Sequence, residues 1–451
     1  MRTVSCFISR ILILTIPLTL VWLLMGGVGY GQTLVSTSAV GGVLIDAKGL
    51  VSNAQQDAMG ELAKMRSQSL DKIPADLNAM VGMRKISLRL LETTLQDCVK
   101  NNKPIPDSIK YLAGLQGIRY VFVYPKKKDI VLVGPGEGWK VDTKGYVVGA
   151  TTGRPVLLLD DLVTALRTAQ AAANGGIACS IDPTTEGLAR LKQELPALAS
   201  AGDPAAMARG IESALGLQQV SVRGVPDTSH FARVLVAADY RMKRIAMNFD
   251  PSPVRGLPSY LQMVKPGKAM VSPRFWLEPR YAALLRDADG LAFELRGSSV
   301  KALTEEDFIA QSGGVQHTGK AGVAAQHWTN LMTDRYAELA VADPVFGQLQ
   351  NCMELAVVGA LIVKEQLPEK AGGDMASLVK SPDLKTEAFN APKQVESKAS
   401  ALKRGRGLVL SASGGVAINS WLIADQVRVS DEVAPQRAKA AAGETASWYW
   451  N

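Results

Sequence analysis

VPDTSHFARVLVAADYRMKRIAMNFDPSP, residues Val225 to Pro253, is the stretch on which the reading of this chain turns. Phe231, Val234, Leu235, Ala238, Met242 and Ile245 recur at intervals of three and four, which places them on one face of a helix. Asp227, Thr228 or Ser229 can accept a hydrogen bond from a first-turn amide and so cap the start, and Asp250-Pro251 with Pro253 stops the other end. A strand over Arg233 to Ala237 would explain RVLVA but leaves the spacing of Met242 and Ile245 without a cause. The helix is preferred. Arg233, Arg241, Lys243 and Arg244 then project away from the apolar stripe, as a solvated outer face or as a cationic surface for an anionic partner. Asp227, Ser229 and His230 have the residue types of a catalytic triad. Neighbouring side chains diverge, however, and such triads are assembled from separate elements, so capping is the simpler account of Asp227 and Ser229.

Upstream of this helix, strand and helix signals alternate. Tyr120 to Tyr124 and Ile130 to Val133 read as paired strands, Leu159 to Ala173 as a helix capped by Asp160, and Ile177 to Ile181 as a buried strand. Asp182-Pro183 and Asp203-Pro204 open two further helices, and Leu217 to Val222 is the next strand. Before them come a hairpin over residues 39 to 51 and a helix running from Ser87 through Leu91, Leu95 and Cys98. This alternation predicts an α+β fold with a mixed sheet covered by helices. Downstream, Arg274 to Leu277 and Leu291 to Arg296 are expected strands around a helical turn at Tyr281 to Arg286. Thr304-Glu305-Glu306-Asp307 resembles a capping box, and the stripe Trp328, Leu331, Met332, Tyr336, Leu339 followed by Phe346, Leu349, Met353, Val357 predicts a helical hairpin.

The organisation expected is a signal peptide over 1–31, an N-terminal hairpin and helices over 32–115, and an α/β core with the helical hairpin over 116–365. A linker over 366–406, a β-hairpin over 407–430 and a disordered tail over 431–451 complete it, the final Trp448-Tyr449-Trp450 tucking onto the body. Arg2 and Arg10, the apolar run Ile11 to Met25 and small residues ending at Gly31 have the order of a cleaved secretory leader. An uncleaved anchor is the competing reading, which Pro17 and the following glycines disfavour. Localisation is therefore expected to be periplasmic or extracellular, with no later membrane span. Removing the leader lowers the formal charge from +8 to +6, too mild an excess over 451 residues to indicate nucleic acid. Cys98, Cys179 and Cys352 remain, consistent with one disulfide and a free thiol or with three buried thiols.

No motif supplies a reaction. GPGEGW, Gly134 to Trp139, lacks the Lys-Ser/Thr ending of a phosphate loop and runs into a second hairpin where a phosphate site needs a helix N-terminus. His317 and His327 have no partner at metal-ligand spacing. No metal and no cofactor is expected.

Six stretches carry a family resemblance: HFARVLVAADYRMKRIAM (230–247), GGIACSIDPTTEGLARL (175–191), YLAGLQGIRYVFVYPKKKDIVLVGPGEGW (111–139), FWLEPRYAALLRDADGLAFEL (275–295), DPVFGQLQNCMELAVVGALI (343–362) and SGGVAINSW (413–421). Together they resemble exported planctomycete-type proteins catalogued as domain of unknown function 1598. The resemblance implies export and bacterial origin, and brings no reaction or site residue with it. The preferred expectation is a non-catalytic binding or structural component of the cell envelope, with an envelope or extracellular protein or an anionic surface as partner, engaged by Arg233, Arg241, Lys243 and Arg244. The alternative is an envelope hydrolase using paired carboxylates brought together by folding, from Asp160, Asp161, Asp182 or Glu278.

Overall fold

The helix expected from the opening stretch runs over His230–Ala246 and is capped by Ser229, whose hydroxyl accepts from the Ala232 amide. A computed structural model describes residues 43–451 apart from 55–59, 201–202, 265–269, 310–314, 318, 401–407, 410–412 and 443–445. The leader lies outside the described residues. Phe231, Val234, Leu235, Ala238, Met242 and Ile245 are all buried, as the spacing requires. Each large apolar side chain among them contributes about 2 kcal/mol by leaving water.

The helix is nevertheless covered on more than one side. It packs on strands Ile177–Asp182, Ser413–Ile418 and Met270–Arg280, and also on helices Leu159–Thr168 and Pro344–Lys364. Those strands belong to the larger of two main sheets, whose order is 43–45, 50–53, 394–396, 217–223, 177–182, 413–418, 270–280, 299–309, 315–317. The second sheet runs 427–429, 284–286, 292–294, 120–124, 129–136, 81–87, 449–450. Parallel and antiparallel pairs are mixed in both, so the architecture is α+β. Pro344–Lys364 is long and apolar enough to cross a membrane, but it is the buried core helix of this arrangement.

Several expectations fail, each for a physical reason. Residues 366–400 are not a linker: Leu367, Leu378, Leu384, Phe389, Val395 and Ala399 are buried, and Gln394–Glu396 joins the large sheet between strands Leu50–Asn53 and Leu217–Arg223. Their apolar residues lie too irregularly for either period to reveal them. Among the described residues of 407–430 the expected hairpin does not form. Leu408–Val409 and Ser413–Ile418 each pair in parallel with Met270–Arg280, and helix Ser420–Asp425 and strand Val427–Val429 follow. Gly414 and Gly415 fill the strand interior because a Cβ there would stand 1.8 Å from the carbonyl oxygens of Phe275 and Cys179 respectively. The tail is also ordered where it is described. Helix Val433–Ala441 covers the outer face of the second sheet through Val433 and Ala440, and Tyr449–Trp450 forms its edge strand against Lys85 and Ile86.

Thr304 to Asp307 lies inside strand Ser299–Ile309, where Val300, Ala302 and Thr304 alternate inward. Period two outweighs the cap pattern. The expected turn over Tyr281 to Arg286 contains strand Leu284–Arg286, and Asp160 sits in the first turn of Leu159–Thr168 where Leu158 holds the cap position. Cys98, Cys179 and Cys352 are free and buried.

Candidate functional site

The four basic residues of the central helix do not form an outward cationic face. Arg233 is fully buried with its guanidinium 4.8 Å over the Phe389 ring, and burial lowers its pKa to about 10. Lys243 is buried and donates to Asp239 Oδ2 at 2.9 Å and to the carbonyls of Ile181 and Gly414 at 3.1 Å. Arg244 grips Asp250 through Nε and Nη2 at 2.8 and 2.9 Å, while Arg241 binds Asp250 as well and reaches Asp343 Oδ2 at 2.8 Å. The Arg244 hydrogen bonds in turn hold the Asp250 carboxyl below its ordinary pKa. The correction has a plain cause. A helix enclosed by sheet and helices satisfies its charges internally, and Asp250, read as a helix stop, is the counter-ion for two arginines.

Of the four carboxylates considered for chemistry, two come together. Asp160 and Asp161 occupy the first turn of Leu159–Thr168, where the helix dipole favours negative charge. That turn meets the first residue of the central helix: His230 Nδ1 lies 3.0 Å from both Asp161 oxygens. Asp182 ends strand Ile177–Asp182, and Glu278 is engaged elsewhere by Trp276 Nε1 at 2.8 Å and Lys301 at 3.2 Å. Ser229 takes no part, since its hydroxyl donates to Pro226 O at 2.6 Å while capping the helix.

The His230 and Asp160 side chains open onto a cleft of about 320 Å³. Tyr111, Leu158 and Phe389 give it apolar walls, the last with its ring 6.1 Å from the imidazole, and Arg66, Lys110 and Lys385 lie on its rim. The strap that carries Lys385, Glu387 and Phe389 is anchored over the site by two backbone bonds, Glu387 N to Asp160 Oδ2 and Phe389 N to Thr228 O, at 2.9 and 2.8 Å. Gln348 Oε1, also in the cleft lining, is buried with no hydrogen-bond partner among the described residues.

Burial opposes a charge on His230, but Asp161, with Asp160 and Glu387 beyond it, outweighs burial and raises the imidazole pKa. Burial likewise raises the Asp160 carboxyl. With Nδ1 committed to Asp161, Nε2 is the ring nitrogen left to exchange a proton with a bound molecule. The Cys352 thiol also donates to Asp161, and burial raises its pKa well above the ordinary value, which keeps it an inert packing group. Among the described residues no group of three or more His, Cys, Asp or Glu side chains is placed to hold a metal ion.

GPGEGW is structural and not the expected loop: Gly134 to Gly136 end strand Asp129–Gly136, and Trp139 opens the next strand. Glu137 accepts from Gln116 Nε2 at 2.9 Å, the Thr151 and Thr152 amides at 2.8 and 3.0 Å and the Thr152 hydroxyl at 2.6 Å. Burial opposes its charge, but the bonds from Thr152 and Thr151 prevail and hold its pKa at about 2.

Strand 177–182 from Cys179 onward, helices Thr185–Ser200 and Pro204–Leu215, strand Leu217–Arg223 and the central helix form one continuous segment carrying His230. Residues 179–260 match a family model described as protein of unknown function (DUF1598). This segment is the DUF1598 region of the chain. Its boundaries enclose His230 but not Asp160 or Asp161, so the cleft is shared between the DUF1598 segment and the sequence around it. No curated protein and no solved structure matches the chain.

Away from the cleft, a second carboxyl is buried on helix Pro344–Lys364. Glu354 accepts from the Ile118 amide and from Ser298 Oγ at 2.8 Å, and burial raises its pKa to about 7 despite those bonds. Because the folded pKa lies above the unfolded one, its contribution is complete below about pH 4.5 and is lost as pH rises through 7. Urea unfolding is expected to show stability falling by up to about 3 kcal/mol between pH 5 and pH 8 from this group, and Glu354→Gln should flatten that slope. An unchanged slope in the variant would assign the pH dependence to other groups.

Proposed function

We propose that this DUF1598 protein is an exported acid–base hydrolase whose cleft takes a small organic ligand. His230 is the proton-transfer group, Asp161 its orienting partner and Asp160 a second carboxyl beside the bound molecule. The observation that supports this most is the His230–Asp161 contact at 3.0 Å on the wall of a 320 Å³ cleft. The His230–Asp161 pair has the arrangement of a general base with its orienting acid, and the nucleophile in this reading is a water activated by His230. His230 Nε2 removes a proton from water as its oxygen bonds to the electrophilic carbon. Asp161 stabilises the imidazolium, which then returns the proton to the departing group as the old bond breaks. A panel of chromogenic esters, glycosides and amides tests this on the mature protein, with His230→Gln as the control. Turnover of one class that vanishes in the variant supports it, and equal activity in both proteins removes it.

The non-catalytic envelope-binding reading is supported by the basic rim, since Arg66, Lys110 and Lys385 would suit an anionic ligand held without chemistry. Salt-sensitive ligand retention that survives His230→Gln but fails on charge reversal at Lys385 would favour it.

Export rests on the leader-like order of residues 1–31. The mature protein from native cells is expected to begin at Gln32 by N-terminal sequencing; a chain beginning at Met1 and retained with membranes would point to an anchor instead.

A further inference from the structure

The long helix Pro344–Lys364 places Gln348 in the cleft and Gln350 and Glu354 in a second cavity, of about 310 Å³. Its wall also carries Ile118, Arg119, Arg154, Ser298 and Leu295, so polar groups with apolar backing surround a volume that suits a small organic molecule. The charges on that wall are unevenly matched. Arg119 is committed to Glu294 Oε1, through Nε at 3.1 Å and Nη2 at 3.0 Å. Ser298 Oγ is shared between Glu354 and the Tyr281 hydroxyl, and Gln116 Nε2 is held by Glu137 and Thr152. Arg154 is different. The residue is half-buried on the cavity wall, and its guanidinium has no hydrogen-bond or ion-pair partner among the described residues, although its backbone nitrogen and carbonyl are both engaged. An uncommitted guanidinium on a cavity wall is complementary to a planar anion, which it can grip with two parallel N–H bonds.

We propose that this second cavity binds a small carboxylate, gripped by Arg154 and resting against the buried carboxyl of Glu354. Two carboxyls in contact cannot both be ionised, so the ligand is bound with one proton between them, and Glu354 in its acid form donates to the ligand oxygen. The groups acting on Glu354 fit this assignment. Ile118 N and Ser298 Oγ occupy one lone pair on each oxygen, Tyr281 lies one hydrogen bond beyond Ser298, and Arg154 acts on it through space as a cation. The site is independent of the hydrolytic reading, since none of these residues belongs to the His230 cleft.

Ligand-observed NMR on the mature protein with benzoate, phenylacetate and succinate, each against its neutral amide, tests the proposal. Carboxylates should bind and amides should not. Arg154→Ala should weaken carboxylate binding about ten- to a hundredfold while leaving the thermal midpoint near that of the wild type, because the side chain it removes holds no protein group. Arg154→Lys should recover part of the affinity. Wild-type binding should be severalfold tighter at pH 6 than at pH 8, and Glu354→Gln, whose amide can still donate, should bind without that pH dependence. Equal binding of acids and amides, binding of inorganic phosphate but of no carboxylate, affinity unmoved by Arg154→Ala, or affinity that rises with pH would each overturn the proposal.

Discussion

Arg84→Met is expected to destabilise the fold by about 3–5 kcal/mol, read as a lower urea midpoint with an unchanged slope. Arg84 is fully buried and every nitrogen of its guanidinium is used. Nη1 donates to Ala113 O at 2.6 Å and Glu137 O at 3.3 Å, Nη2 to Leu77 O at 3.2 Å and Ala79 O at 3.1 Å, and Nε to Asn451 Oδ1 at 2.9 Å. Burial lowers its pKa to about 10, so it remains charged at neutral pH, with Asp76 the leading favourable charge nearby. Methionine fills much of the volume but leaves four backbone carbonyls without a donor, and each buried orphan costs about 1–3 kcal/mol before relaxation. Lysine is not a substitute because one ammonium cannot span that fork of acceptors. Asn451→Ala removes two bonds at the partly open end, the one accepted from Arg84 Nε and the one donated to Asp76 O at 2.7 Å, and should cost about 1–2 kcal/mol. Equal losses from the two substitutions would show that Arg84 acts by anchoring the tail and not by organising the carbonyls around it.

Asp161→Asn is expected to lower the His230 pKa, by removing the charge that opposes burial, and to reduce any hydrolysis in the cleft by about 10²–10⁴-fold. The amide keeps the shape of the carboxylate but loses the charge that outweighs burial at the imidazole. It can also present its NH₂ to Nδ1, which reverses the tautomer and turns Nε2 from acceptor to donor. Binding in the cleft should change far less than turnover, because the walls formed by Tyr111, Leu158 and Phe389 are untouched. A parallel loss of ligand affinity and turnover would instead make Asp161 a packing residue.

How much of this was legible differs from element to element. The central helix and the strands expected at 120–124 and 130–133 follow from spacing and turn chemistry, since each pattern is local, although the second strand extends to 129–136 and the helix ends at Ala246, before Asp250-Pro251. The direction of Arg233 and Lys243 was not legible. A helix with charges on one flank looks amphipathic whether those charges meet water or meet Asp239, Phe389 and buried carbonyls, and only tertiary contact separates the two cases. The strap over 380–397, within the expected linker 366–406, has the composition of a linker because its few buried apolar residues, Leu384, Phe389 and Val395, are interleaved with Lys, Glu, Pro and Ser. The candidate site was visible in pieces. Asp160, Asp161 and His230 each carry a signal as candidate chemical groups, but the pairing of His230 with Asp161 joins positions 69 residues apart in sequence. No local period encodes it; it follows from two helices starting at the same place. Arg66, Tyr111, Glu387 and Phe389 carried no signal of their own, and neither did Arg154 and Glu354.

The central claim is that His230 is held by Asp161 with its Nε2 free to move a proton, and long-range ¹H–¹⁵N NMR of the imidazoles across a pH series tests it most directly. The chain has three histidines, so one site can be assigned by comparison with His230→Gln. One imidazole should titrate above the ordinary value near 6.5, carry its proton on Nδ1 when neutral, and shift downward in Asp161→Asn. Three imidazoles titrating near the ordinary value, with none responding to Asp161→Asn, would contradict it.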